Sequence, residues 1–578
     1  MNQNLLKSLL SLIVFAGALS AYAQEEQDLD TEVVNIVKPY TPSISDAFKI
    51  KATPQLDDSV NVAKKQVTYG IFSVPVASTF TPAKGKAANV KKARPVKLFD
   101  NYVTLAFGTY SSALAEFYSN YQIDRNQNFG IYLDHNSSQG NIEDVELEDK
   151  FYDTSLNLNY TSRDRDFTWR GDLDFQHQLY NWYGLEDPSL FSAEDLNNIE
   201  PRQQYYTAAV GANFEMEDSF FDGGQVKLRY FGDATSSTEL RAFATPQLEL
   251  PIAGELIQTK LVIDYVQGEF DRNYFNSQGI NYGFLNAGLN PSLVILRDDL
   301  TVNLGIAAFV SYDIELQNTN FNLYPRITGS YRVAGEYFIA YAGLEGELRQ
   351  NSYYDVVQEN PFVSPILLIQ PTDQAYDAYV GIKGKVSNEV SYNLRGSYTS
   401  ENDRRLFKNN PRFTPADASE GYQYGNSFGL VYDDLKTTSI FGELNVDVNA
   451  NFKVRINGTY YSYSTDQQEE AWNLPDLEAA LFADYQISEH WFAGANLFFV
   501  GERPDQRSTS SPTVTPFPVD VTLDSYFDIN AHAGYRFNDQ LSAFARVNNV
   551  LGNNYQRWVN FPVQGIQAMA GATYKFDF

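Results

Sequence analysis

Cysteine is missing from all 578 residues, which excludes disulfides, thiol chemistry and a lipid anchor on an N-terminal cysteine. Past residue 24 no stretch of about eighteen apolar residues occurs, so no helix of this chain is expected to span a membrane. Histidine is scarce. His135, His177, His490 and His532 are scattered, with no pair at metal-ligand spacing, and no zinc site is expected. Positive charge is also short: 43 Lys and Arg face 72 Asp and Glu, a net charge of −29. Nucleic acid needs a basic stripe and is excluded as a partner. No glycine-rich phosphate or dinucleotide motif opens a helix, and the acidic piece Glu143–Asp149 lacks the ordered spacing of a calcium loop. No cofactor is expected.

What the chain has in quantity is aromatic side chains, 40 Tyr and 40 Phe against 3 Met, at a mean hydropathy of −0.36. Abundant aromatics without long apolar runs suit a transmembrane β-barrel. Half of each strand faces lipid there, half faces a polar lumen, and aromatic girdles mark the interfaces. A large secreted β-sandwich or propeller has the same average hydropathy, so the pattern along the strands must decide.

From Asn101 onward, segments of strict alternation recur. In the last one Ile566, Ala568, Ala570, Ala572, Tyr574, Phe576 and Phe578 share a face opposite Gln567, Met569, Thr573 and Lys575. Phe452, Val454, Ile456 and Tyr460 likewise oppose Lys453, Arg455, Asn457 and Thr459. A period of two puts each set on one side of a sheet. Faces of about ten residues cross a bilayer when tilted, whereas sandwich strands are typically about half that length. The fold class is therefore all-β, a transmembrane antiparallel barrel.

Connections fall into two kinds. Tight turns occur at Asp124–Asn128, Arg163–Asp166, Ala253–Glu255, Arg297–Asp299, Ala334–Glu336, Ser387–Glu389, Asn449–Asn451, Ser488–Glu489 and Asn538–Gln540, with a longer one at Glu215–Gly224. Long polar loops are expected at 137–150, 179–202, 350–373, 401–426 and 503–522. Short turns on one side and long loops on the other mark a barrel with both ends on the short-turn side. Ten internal short turns give 22 strands, within a range of 16 to 22. One segment resists: Ser427–Leu435 reads as a strand, yet parity puts it inside an outer loop. Closure requires the strand near Tyr102–Phe107 to pair with the one near Ile566–Phe576, because an open edge in hydrocarbon leaves backbone groups unpaired.

The domain reading has three parts. Residues 1–23 read as a signal peptide: Lys7, an apolar run Leu9–Leu19, then Ala21-Tyr22-Ala23 before a cleavage point at Gln24. Residues 24–100 are rich in Pro and Lys and weakly patterned, an extended periplasmic segment. Residues 101–578 form the barrel. The expected location is the outer membrane of a Gram-negative cell.

Two resemblances refine this. Tyr574-x-Phe576-x-Phe578 resembles the C-terminal signal read by the barrel-assembly machinery. The final hairpins, Ser542 to Tyr555 through Val547-Asn-Asn-Val-Leu-Gly552 and then Gly565 to Phe578, resemble those of the TonB-dependent receptors. The resemblance implies an outer-membrane transport barrel of 22 strands. Those receptors carry a folded plug inside the barrel, and residues 24–100 are about half the length such a plug needs. The resemblance is therefore to a relative whose plug is short or absent. Within that segment Asp30-Thr31-Glu32-Val33-Val34 resembles the coupling box that adds a strand to a TonB-type energy coupler; a short strand docked on the barrel rim is the plainer reading. Lys84, Lys86, Lys91, Lys92, Arg94 and Lys97 form a basic run without an intervening acid. It could cap an acidic lumen, touch anionic lipid, or be a solvated linker.

The leading functional expectation is a transport-type barrel that binds or passes an unidentified solute. The alternative is a structural or assembly subunit with a blocked lumen. A barrel enzyme lacks a site, since a lone strand histidine such as His135 or His177 is usually structural; the chain is expected not to be an enzyme. Expected partners are outer-membrane lipid, the barrel-assembly machinery, and a TonB-type coupler or other envelope proteins.

Overall fold

The computed structural model describes residues 98–577, except 218, 253 and 509–516. Strand formation follows from the alternation, as Phe221–Asp233 illustrates. Val226, Leu228 and Tyr230 lie exposed on one face, while on the other Arg229 is largely covered and Phe231 is buried. Apolar side chains outward and charged ones inward is the arrangement a barrel wall in lipid requires.

Neighbouring strands pair antiparallel along the chain from Asn101–Gly108 to Gln567–Phe576, and these two pair with each other, Asn101 opposite Phe576 and Gly108 opposite Met569. Thr238–Ala244 and Gln247–Ile252 both sit between Phe221–Asp233 and Glu255–Phe270. They are two halves of one wall position, broken at Thr245 and Pro246, where proline has no N–H for the ladder. The result is a closed antiparallel barrel of 22 strands. At the seam the Thr104 and Thr573 hydroxyls meet at 2.9 Å, and Asn101 Nδ2 donates to the Phe576 carbonyl at 3.0 Å.

All ten expected inner turns are present, among them 298–299, 335–337 and 450–451. The opposite end is less uniform than expected. Eight of its connections are long, but 109–112, 234–237 and 314–317 are as short as inner turns.

Two sequence expectations are corrected at one place. Ser427–Leu435 is not a strand trapped inside a loop. Phe428–Asn449 is one strand of 22 residues, paired with Val390–Asn409 along its length. The outer loop expected at 401–426 accordingly shrinks to 410–427. Both strands exceed the roughly 9–11 residues a bilayer needs, so they continue past its outer face. The loop expected at 503–522 also contains a hairpin, Arg503–Ser508 against Pro518–Leu523.

Candidate functional site at the outer mouth

A 22-strand barrel is too wide for its wall side chains to fill. The apolar core of this molecule accordingly lies at the outer mouth, where loops fold over and into the opening. Its centre is the segment 350–371. Ser352 caps the helix Tyr353–Glu359, its Oγ accepting from the Asp355 amide at 3.1 Å. Tyr353, Val356 and Val357 are fully buried against Tyr205, Phe231, Phe270 and Tyr282. The chain neighbours Tyr206 and Tyr230 are exposed on the outer face, so the helix lies against the inside of the wall. Beyond it, Val363 bridges to Phe428, and Leu367 and Ile369 join the same core. The loop 549–566 packs on the same cluster. Phe561 stacks on Phe362 at 4.1 Å and meets Tyr183 at 4.9 Å, while Trp558 lies 5.4 Å from Phe428.

Burying each of these side chains contributes roughly 1.5–3 kcal/mol. Ordering the segment costs roughly 1–2 kcal/mol per residue. The terms are of similar size, so polar contacts decide whether the segment stays docked. Arg241 holds Asp264 in a fork, Nε to Oδ1 at 2.9 Å and Nη2 to Oδ2 at 2.7 Å, and gives Nη1 to Asp355 Oδ2 at 2.8 Å. Arg229 donates to Ser352 Oγ at 3.0 Å and lies 3.8 Å over the Tyr354 ring. Glu239, fully buried, accepts from the Tyr353 amide at 2.5 Å and the Tyr282 hydroxyl at 2.7 Å. Asp233 accepts the Tyr353 hydroxyl at 2.8 Å.

The other loops are tied to one another and to the long strand pair Val390–Asn409 and Phe428–Asn449. Asn426 Nδ2 donates to the Trp182 carbonyl at 2.7 Å, the Tyr274 hydroxyl to the Pro411 carbonyl at 2.8 Å, and Asn473 Nδ2 to the Phe407 carbonyl at 3.0 Å. Asp433 gathers the amides of Asp466, Gln467 and Gln468 at 2.8–3.1 Å. Asp505 is buried where the hairpin meets Asn473, Asn409 and Val559, and burial pushes its carboxyl up to about 7. Burial also raises the Tyr183 hydroxyl, which stays protonated and donates to the Pro562 carbonyl at 2.9 Å. Elsewhere the inward face is polar and aromatic: Lys227 pairs with Asp174 at 3.0 Å, Arg395 with Asp377 at 2.5 Å, and Arg395 lies 3.9 Å over Tyr379. Chemically this is a wall suited to hydrogen-bonding a hydrated solute, under a packed cap.

The candidate coupling box Asp30–Val34, the basic run from Lys84 to Lys97, the cleavage point at Ala23 and the terminal Phe578 lie outside the described residues. Tyr574 and Phe576 are in the closing strand, their rings stacked at 5.8 Å with Tyr574 exposed. His135 shares the face of Leu133 and bonds Thr154 and Ser137; His177 shares the face of Leu173 and Phe175 and stacks on Tyr206 at 5.1 Å. Neither points into the lumen. Among the described residues no cluster of His, Asp and Glu could hold a metal ion. The sequence reading missed Arg229, Glu239, Arg241, Asp264 and Asp355. The inward-facing arginines were visible in the alternation, but nothing in it says that residue 355 folds back onto them.

The family described as TonB dependent receptor-like, beta-barrel matches residues 442–550. Among solved structures, the FrpB iron transporter of Neisseria meningitidis superposes with a TM-score of 0.63 at 11% identity, covering 83% of this chain and 82% of that one. The siderophore receptor PirA of Acinetobacter baumannii gives 0.60 at 12% identity, over 84% and 81%. The ferripyoverdine receptor of Pseudomonas aeruginosa gives 0.59 at 15%, over 84% and 72%. No curated protein matches the chain in sequence. The fold defines the class: the chain is a closed 22-strand antiparallel β-barrel similar in fold to these receptors, and its residues 442–550 match the TonB dependent receptor-like barrel family.

Proposed function

We propose that the protein is a gated transport barrel that binds or passes a solute at the outer membrane. The observation that carries this is the contrast between a polar, charge-paired inner wall and a mouth closed by the barrel's own loops. A wall of Lys227, Asp174, Arg395 and Asp377 serves a hydrated passage; a purely structural barrel has no use for one. The similar solved structures add direction, since one of them was crystallised with ferripyoverdine, and ferric chelates are the first solutes to screen.

In this reading residues 1–23 are removed at Ala23, and residues 24–100 form a short periplasmic segment whose Asp30–Val34 engages a TonB-type coupler by strand addition. Tyr574, Phe576 and Phe578 address the chain to the barrel-assembly machinery.

The test is single-channel conductance in a planar bilayer, for the mature chain, a form lacking residues 24–100, and that form with 353–359 also removed. Steady conductance in either shortened form supports gated transport. Silence in all three overturns it and leaves a scaffold or assembly subunit as the better account.

A further inference from the structure

The segment 350–371 is fastened at its feet and along its helix. Its two feet are clipped together, Asn351 Nδ2 donating to the Gln370 carbonyl at 2.8 Å and to Thr372 Oγ1 at 3.0 Å. The first foot is fixed to the wall as well, Asn286 Nδ2 donating to Gln350 Oε1 at 2.6 Å. Between these feet the helix Tyr353–Glu359 reaches over the inner wall and is held by ion pairs at both ends. Asp355 lies between Arg229 at 3.6 Å and Arg241 at 2.8 Å, and Glu359 meets Arg405 at 2.6 Å.

We propose that residues 352–369 are a latched gate of the outer mouth, swinging on the neck made by Asn351 and Thr372, with Asp355 as the latch. The inference rests on the transport reading only for what passes once the gate is open.

The wall charges explain why such a latch can release. Without Asp355, Arg241 keeps its two bonds to Asp264, and Arg229 faces Glu239 at 3.6 Å. At the Asp355 end two cations remain beside two anions, so departure of the helix leaves no unpaired charge there, the outcome that makes breaking most buried pairs costly; at the other end Arg405 gives up Glu359. The closed state adds a third carboxylate to two arginines, a contact removed without damage to the wall. The gate's far edge is held by neutral bonds: Tyr205 to the Pro361 carbonyl at 2.9 Å, Trp182 Nε1 to the Val363 carbonyl at 3.3 Å, and the Ser364 amide to the Phe428 carbonyl at 2.8 Å. Beyond the helix the bonds are neutral, and of its two ionic contacts Asp355 is the one shared by two arginines, which makes it the contact on which closure turns.

The full mature chain in lipid nanodiscs provides the test, by hydrogen–deuterium exchange of the amides at 353–359. Asp355→Arg, which sets three cations together, is expected to raise their exchange at least ten-fold while the wall strands Phe221–Asp233 and Glu255–Phe270 stay as protected as before. Asp355→Asn, nearly isosteric and safe for folding, is expected to give a smaller rise in the same peptide. Unchanged exchange in both variants overturns the latch. So does an equal rise across the wall strands, which would make Asp355 a structural residue of the wall. The same preparations are then placed in a bilayer. Faster exchange with new conductance supports gate and transport together; faster exchange without conductance supports the gate and counts against the transport reading.

Discussion

At the scale of single residues, burial decides which side chains respond to conditions. Asp505 is the clearest instance outside the wall. It accepts from the Gln506 amide at 2.7 Å and from groups on Asn473, Asn409 and Val559, but among the described residues it has no ion-pair partner: the nearby Arg503 turns to the Gln556 carbonyl at 2.7 Å and the Tyr526 ring at 5.1 Å. Burial, the largest cause, holds its carboxyl at about 7, against about 3.9 in an unfolded chain. The sign follows. The contact is most stable with the proton on, fully so below about pH 4, and it weakens as pH rises through 7. Docking of the 503–508 hairpin is therefore expected to loosen between about pH 4 and pH 7 and to change little above that. Exchange of its amides, corrected for the intrinsic pH effect, is the measurement. Asp505→Asn should flatten that dependence, and a dependence that survives the substitution would assign it to another group.

At the scale of elements, the reading from sequence was strongest where turn chemistry and alternation agreed and weakest where water reaches both faces of a strand. Inner turns such as Asn449–Asn451 and Asn538–Gln540 were legible because Asn, Asp, Gly and Ser concentrate in them between alternating segments. The pair Val390–Asn409 and Phe428–Asn449 was not. Glu401, Arg404, Arg405, Asp433 and Asp434 interrupt the alternation, and a register shift falls between Glu401 and Arg404. Strands that outrun the bilayer have no lipid to impose a period of two, so charge there reads as loop. The break at Pro246 was equally hidden, because one proline does not say whether a strand ends or is resumed. Glycines opposite the break make it possible. A Cβ on Gly223 would lie 2.4 Å from the Phe214 carbonyl oxygen, and one on Gly224 would lie 2.9 Å from Pro246 Cα. Backbone cannot move aside for either. Gly223→Val is expected to cost about 1–3 kcal/mol, seen as a lower urea midpoint for the folded, heat-modifiable band. Gly211→Ala is the control: its Cβ would meet nothing nearer than 3.5 Å, and the midpoint should hold.

At the scale of the whole molecule, the barrel exists only once its last strand meets its first. The pairing of Asn101–Gly108 with Gln567–Phe576 was legible because parity and the hydrocarbon environment leave no other closure. What covers the mouth was not, since the core there joins residues as distant as Tyr205, Tyr353, Phe428 and Phe561, and no local period encodes such contacts. Closure also separates two roles that Tyr574 can play. As a lipid-facing side chain near the inner rim it contributes little to stability, because even a charged residue near an interface costs only about 0–1 kcal/mol. As part of an address read by the barrel-assembly machinery, it would matter before the barrel forms. Tyr574→Lys is therefore expected to refold in detergent with a urea midpoint close to that of the native chain. In cells the same variant is expected to accumulate several-fold less in the outer membrane. Equal losses in both settings would make the residue a stabiliser of the seam, and equal retention would show that the address does not reside in Tyr574.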